Sequence, residues 1–318
     1  MTVVKTVLAD AFPERTVRAV EPVEAGNRRR TAVARFTESR PVVVQYAPDG
    51  AFDTEAALGR LVRAETSVPV PEPMAVGRFD GGGYLVSEYR PGCDLHTAFA
   101  DLSPVRQRNL AHAFGRYLAE LHDIVAFEGC GELRVNRSPT APAPEQSLTA
   151  PARACGAWLR EYGERAIKRL PGEFDPLRAD LCDAVRAAAG SVTEQPRLYP
   201  WDLRPGNALV DGDITAVVDW ERPLAAPAGL ALAKTTYLVA TWYVDDPDPL
   251  RAALRRGYAG VGPLPTVRPG HRVAAIADSA VDSDGAVTRP GYPEQTREQA
   301  LTFHRRALAA AADLSRSG

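Results

Sequence analysis

The chain has 318 residues, 45% hydrophobic and 25% charged, with 38 basic and 40 acidic side chains and a net charge of −2. Such proportions exclude a disordered or collagen-like chain, and the length suggests about two domains of roughly 150 residues. No broad basic field is available for a nucleic-acid backbone, and Lys5, Lys168 and Lys234 are the only lysines. The N-terminus does not read as a signal, and the most apolar stretch, residues 229–244, contains Lys234 and is too short to cross a bilayer. A cytoplasmic protein with neither a nucleic-acid nor a membrane partner is expected. Cys93, Cys130, Cys155 and Cys182 have no Cys-x-x-Cys spacing and read as reduced thiols, and the five histidines have no metal-binding spacing.

In chain order, residues 15–20 have strand character, followed by a polar, glycine-containing loop over 24–30. Two Val- and Ala-rich strands at 31–36 and 42–46 are joined by the polar hairpin loop 37–41. Ala56, Leu58, Leu61 and Val62 keep helical spacing and predict a helix over 52–64. Pro69, Pro71 and Pro73 forbid helix in the next segment. Strands at 74–79 and 84–89 then flank the turn Asp80-Gly81-Gly82-Gly83. Past Arg90-Pro91-Gly92 the pattern turns helical. Ser103 and Pro104 open a helix over 103–122 with Leu110, Phe114, Leu118 and Leu121 on its apolar face. Residues 137–153 read as an exposed insertion. Helices are expected at 155–169, 176–189, 228–243, 249–258 and 295–314, with a β segment at 198–219 and no clear period over 260–293.

The chemistry concentrates in residues 200–221. Asp211-Gly212-Asp213 is a turn between two short apolar strands, 208–210 and 214–218. Folding that hairpin brings Asn207, before the first strand, near Asp219, after the second. Asp202 lies five residues before Asn207, on a loop held by Pro205-Gly206. Two oxygen ligands and a free carboxylate thus converge at one end of a hairpin. Hard oxygen donors in low number suit Mg²⁺, which takes its remaining ligands from water and substrate phosphate.

The run Pro200-Trp201-Asp202-Leu203-Arg204-Pro205-Gly206-Asn207-Ala208-Leu209-Val210, then Val218-Asp219-Trp220-Glu221, resembles the signature of the aminoglycoside phosphotransferase and choline kinase-like family. There it reads His-Gly-Asp-Leu-His-Pro-Gly-Asn-Ile-Leu-Val, then Ile-Asp-Trp-Glu after a hairpin. The resemblance implies an α+β, protein-kinase-like bilobal fold. A small antiparallel-sheet N-lobe with one helix would span residues 1–90. A larger helical C-lobe with the catalytic β-hairpin would span 91–318. It also implies ATP or GTP as co-substrate, Mg²⁺, and a small-molecule hydroxyl as acceptor. By the same resemblance Asp202 is the catalytic carboxylate, Asn207 and Asp219 hold the metal, and Trp201 and Glu221 flank the acceptor. Residues 85–92 look like the family's hinge, where the Ser87 carbonyl and the Tyr89 N–H would bond the adenine edge. His122, at the end of the long helix, reads as a packed residue rather than a ligand.

Four features depart from the family pattern. Gln45 occupies the position of the strand lysine that normally pairs with a helix glutamate, here Glu55. The phosphate loop keeps only Gly26, with Arg28, Arg29 and Arg30 in its middle. Strand alternation puts Arg29, Thr31 and Val33 on one face. Val33 then lies where the adenine packs, Arg29 points toward the nucleotide and Arg30 points the other way. The missing positive charge is therefore expected to have moved from strand to loop, with Gly26, Arg29, Arg30, Val33, Gln45 and Glu55 lining the nucleotide. Pro200 replaces a loop-orienting histidine, and the segment 226–231 lacks two aspartates that brace the family's active-site loops. Loss of the lysine and the histidine leaves one alternative, a non-catalytic nucleotide-binding regulatory protein. The sequence carries no signal for the acceptor's identity or the oligomeric state.

Overall fold

The computed structural model describes residues 2–23, 29–48, 50–136 and 148–313. Gly26, Arg28 and most of the 137–153 insertion lie outside the described residues. The first part of the chain runs α1 (Thr2–Ala11), β1 (Val17–Val23), β2 (Arg30–Phe36), β3 (Val42–Ala47), α2 (Asp53–Glu65), β4 (Pro73–Phe79) and β5 (Gly82–Glu88). The five strands form one antiparallel sheet in the order β1-β2-β3-β5-β4. Next come β6 (Cys93–Asp94), α3 (Leu95–Ala98), α4 (Pro104–Ile124), β7 (Gly131–Glu132), β8 (Arg134–Val135), β9 (Leu148–Thr149), α5 (Cys155–Arg169) and α6 (Arg178–Ala189). Short strands follow, β10 (Arg197–Tyr199), β11 (Ala208–Asp211), β12 (Asp213–Val217) and β13 (Leu224–Ala226), then α7 (Ala228–Ala240), α8 (Asp248–Ala259), α9 (Pro269–Ser279) and α10 (Arg297–Ala311).

Alternation along the strands sorts the large sheet into two faces. Ala32, Ala34 and Phe36 of β2, Val42, Val44 and Tyr46 of β3 and Val86 of β5 pack on Val4, Val7 and Leu8 of α1. That helix corrects the one-helix expectation for this part of the chain: its apolar residues cover the back of the sheet, a tertiary demand that ten residues do not announce. On the other face Thr31 pairs with Gln45, and Gln45 with Leu85. Leu85 packs against Phe52 and Ala56 at the start of α2. Farther along the same helix, Leu58 and Val62 enter the large core formed with Leu95, Phe114 and Leu118. α2 therefore ties the sheet to the helical part.

The Ser103 hydroxyl accepts from the Arg106 N–H and Pro104 sits in the first turn of α4, as its sequence foretold. Two further expectations are corrected. The aperiodic stretch 260–293 contains α9, opened by Pro269 and buried along Val273, Ala274 and Ala277. Cys130 and Cys155 form a disulfide with their Cα atoms 4.9 Å apart, so only Cys93 and Cys182 are free thiols. The Cys130 N–H donates to the Arg153 carbonyl at 2.9 Å, which draws the two segments together across a separation no motif marks. Among the described residues no helix is long and apolar enough to cross a membrane.

Candidate active site

The β11–β12 hairpin sets the geometry. Ala208 pairs with Val217 and Leu209 with Ala216, and Gly212 takes the turn at φ +74°. The Val218 N–H then donates to the Asn207 carbonyl at 2.8 Å, so Asn207 and the residue after Val218, Asp219, share one end of the hairpin. The hairpin is anchored from two sides: β6 pairs with β11, and the Val217 N–H donates to the Pro69 carbonyl at 2.8 Å. At the link to the sheet, the Thr215 hydroxyl donates to the Pro91 carbonyl at 2.7 Å.

Asn207 is buried, and its Nδ2 donates to the Asp202 carbonyl at 2.9 Å. That bond orients the amide and leaves Oδ1 as the acceptor turned to other use. Asp219 sits at φ +64°, in the left-handed region that Asp tolerates better than most residues. Its carboxyl is pushed up to about 6 by burial first, then by the charges of Glu221 and Glu55, while Arg29 opposes the rise. Among the described residues no group of three or more His, Cys, Asp or Glu side chains is placed to hold a metal ion. The Asp219 carboxyl and the Asn207 amide oxygen are the two hard donors that could serve a divalent cation, which takes its other ligands from water or phosphate.

Asp202 makes an ion pair with Arg204 at 2.9 Å and faces the Lys234 ammonium at 3.9 Å. Its N–H donates to the Pro200 carbonyl at 2.7 Å, closing a three-residue turn around Trp201, which adopts φ +58°. The Trp201 indole donates to Asp278 at 2.9 Å. Asp278 also accepts from Tyr162 and from Lys234, each at 2.7 Å. Lys234 on α7 and Asp278 on α9 belong to this site and have no counterpart in the sequence reading.

On the sheet side, Arg29 lies on the face that alternation assigned to it. Its guanidinium bonds Glu55 at 2.7 Å and Glu221 at 3.0 Å and lies 4.6 Å from the Phe52 ring centre. Burial raises the Glu55 carboxyl above its ordinary range although Arg29 pulls it down. Gln45, half-buried in β3, lies beside Thr31 and Leu85 and supplies no charge. Val33 pairs with Val43, which in turn pairs with Ser87. Arg30 pairs with Tyr46 and is exposed, on the opposite face from Arg29. The Tyr89 N–H donates to the Pro41 carbonyl at 3.4 Å, a long bond. His122 is buried, with Nδ1 2.7 Å from the Tyr258 hydroxyl, and takes no part in the site.

The sequence matches the model of the phosphotransferase enzyme family over residues 19–272. No curated protein matches it. Among solved structures, aminoglycoside phosphotransferase APH(4)-Ia aligns with a TM-score of 0.69 at 16% identity, covering 100% of this chain and 99% of that one. A thermostable mutant of the same protein, in ternary complex with AMP-PNP and hygromycin B, aligns at 0.69 and 15% identity with 100% of both chains covered. Macrolide 2'-phosphotransferase MphH from Brachybacterium faecium aligns at 0.59 and 20% identity, covering 98% and 97%. At these identities the likeness is one of fold, and the fold is kinase-like α+β.

Proposed function

Because the chain belongs to the phosphotransferase enzyme family, we propose that it moves a phosphoryl group from ATP or GTP to a hydroxyl of a small molecule. One observation carries this reading. Asp202, Asn207 and Asp219 converge at one end of the hairpin, through the Asn207–Asp202 bond and the Val218–Asn207 bond, with Asp219 within electrostatic reach of Asp202 and of the Arg29–Glu55 pair. Phosphoryl transfer needs positioning and charge neutralisation more than covalent help, and these groups supply both.

In this reading the nucleotide lies against the face of the sheet that carries Arg29 and Val33. The Ser87 carbonyl and the Tyr89 N–H meet the base, the latter exchanging its long bond to Pro41. Arg29 stands in for the strand lysine that Gln45 has lost: it keeps Glu55 and gives up Glu221 to bind a phosphate oxygen. Asn207 Oδ1 and Asp219 would hold Mg²⁺, which neutralises phosphate charge when bound. Asp202 orients the acceptor hydroxyl and takes its proton, and Trp201 borders the acceptor side. The division of labour follows lobes of residues 1–90 and 91–318. A structural neighbour captured with AMP-PNP and hygromycin B supports a site for a nucleotide and a small acceptor.

Gln45 and Pro200 favour a second reading, a nucleotide binder without turnover. Titration of ATP and GTP with and without Mg²⁺, followed by transfer assays over a panel of small alcohols, amino sugars and ketoamine sugars, separates the two. Mg²⁺-dependent binding with phosphorylated product supports the transferase. Binding without product on every acceptor overturns it in favour of the second reading.

A further inference from the structure

The backbone just before the catalytic carboxylate is bent in an uncommon way. The Asp202 N–H reaches back two residues to the Pro200 carbonyl at 2.7 Å, and the residue between them, Trp201, has φ +58°. A turn of this hand centred on a bulky side chain is strained. It persists only if surrounding contacts over-determine it. Those contacts converge on the indole. Trp201 Nε1 donates to Asp278 at 2.9 Å, the Lys234 ammonium lies 4.6 Å from its ring centre, and the Arg222 guanidinium 4.7 Å.

Asp278 is the hub. It accepts from Trp201, from the Tyr162 hydroxyl at 2.7 Å and from Lys234 at 2.7 Å, with Arg169 at 3.7 Å. Its side chain is only 8% exposed and that of Lys234 only 4%. A buried ion pair is weak as a stability device, because well-packed apolar residues often do as well. This pair, however, reaches outward. The same Lys234 ammonium lies 3.9 Å from Asp202 Oδ1, while Arg204 holds Oδ2 at 2.9 Å. The carboxylate thus has a cation beside each oxygen, in ion pairs without hydrogen-bond geometry, and its preceding residue is bonded to the same hub.

We propose that Asp278 and Lys234 are positioning residues. Asp278 holds the strained turn through the Trp201 indole, and Lys234 carries that anchorage to the Asp202 carboxylate and fixes its orientation. α7 and α9 thereby act on the reaction without touching substrate. The inference rests on the phosphotransferase reading above.

The test uses the full chain. Turnover is read as Mg²⁺-dependent hydrolysis of ATP or GTP, with water as acceptor. The indole N–H resonances of the four tryptophans report the hydrogen bond, that of Trp201 being assigned by its loss in Trp201→Phe. The charge-neutral double variant Lys234→Met/Asp278→Asn should shift the Trp201 resonance and leave the other three in place. It should keep nucleotide KM and Kd within about threefold, and lower kcat on the order of 10- to 100-fold, the usual cost of a small misplacement. Trp201→Phe removes the indole donor but leaves the ion pair intact, so it decides by the same kcat-against-KM split if the double variant fails to fold. A shifted Trp201 resonance with unchanged kcat overturns the proposal, and so does Trp201→Phe with wild-type kcat. If the wild-type protein turns over neither nucleotide with water or with any acceptor of the panel above, the phosphotransferase reading falls instead. The resonance then decides alone whether the two residues hold the loop: displaced supports it, unmoved overturns it.

Discussion

Arg29 holds two carboxylates at once, one on α2 and one beyond the hairpin. If it binds phosphate when nucleotide arrives, the contact is a charge-assisted bond worth about 1.5–3 kcal/mol. Arg29→Ala should then weaken ATP binding roughly 10- to 150-fold, at about 1.4 kcal/mol per tenfold, and leave adenosine binding unchanged. The variant also strips Glu55 of its partner, so Glu55→Gln serves as the control for local damage. Equal ATP affinity in Arg29→Ala and wild type would remove the arginine from the phosphate site. The two aspartates separate by a different measurement. Asp202→Ala should abolish transfer with nucleotide affinity held within a few-fold, because Asp202 lies outside the pair, Asn207 and Asp219, proposed to hold the metal. Asp219→Ala should lose the Mg²⁺ dependence of nucleotide binding, read by titrating Mg²⁺ against bound nucleotide in both proteins. Arg29 was legible because strand alternation is a local rule. Lys234 and Asp278 were not, since 44 residues separate them and only the packing of two helices brings them together.

Elements were legible in proportion to how local their signals are. The β11–β12 hairpin could be read because Asp-Gly-Asp and two short apolar runs specify it within a dozen residues. α9 has a proline in its first turn and apolar Val273 and Ile276 at helical spacing, but the surrounding Gly, Pro and Asp masked it. α1 has too little length to declare itself, and its burial comes from the sheet it covers. The α4–α8 contact was equally silent. Its two glycines meet the opposite backbone: a β-carbon on Gly115 would overlap the Leu254 carbonyl, and one on Gly257 the His112 carbonyl. In an isolated helix Gly→Ala would stabilise by about 1 kcal/mol. Here the helices must move apart, and overpacking of this kind costs about 1–3 kcal/mol. Gly257→Ala should therefore lower the free energy of unfolding by up to about 2 kcal/mol in urea titrations. A gain in stability would show that the two helices are not in close contact.

Acid stability is a property of the whole molecule, set by three histidines buried in separate places. His122 is held down to about 3 by burial, with the nearby Arg197 charge adding to the effect. His271 is held to about 4 by burial and by Arg268, and His304 to about 4 by burial. At His304 the Nε2 proton is fixed by its partner: Nε2 donates to the Thr288 carbonyl at 2.9 Å, and in the neutral ring that burial favours, Nδ1, 2.6 Å from the Tyr237 hydroxyl, is the acceptor. An unfolded histidine titrates near 6.5. Between that value and the folded one the unfolded chain binds more protons, so stability is present in full above about pH 6.5 and is lost as pH falls toward 4. From pH 7 to 5 each histidine should contribute a loss of about 2 kcal/mol. Asp219, raised to about 6, and Glu55, also raised, work in the opposite sense: their folded forms take up protons first, which returns part of the loss. The net expectation is a fall of a few kcal/mol between pH 7 and pH 5, measured by urea denaturation in buffer without divalent cations. His304→Gln should be less stable than wild type at pH 7 and should lose less between the two pH values. A slope unchanged by that substitution would show that His304 is not buried neutral in the folded protein.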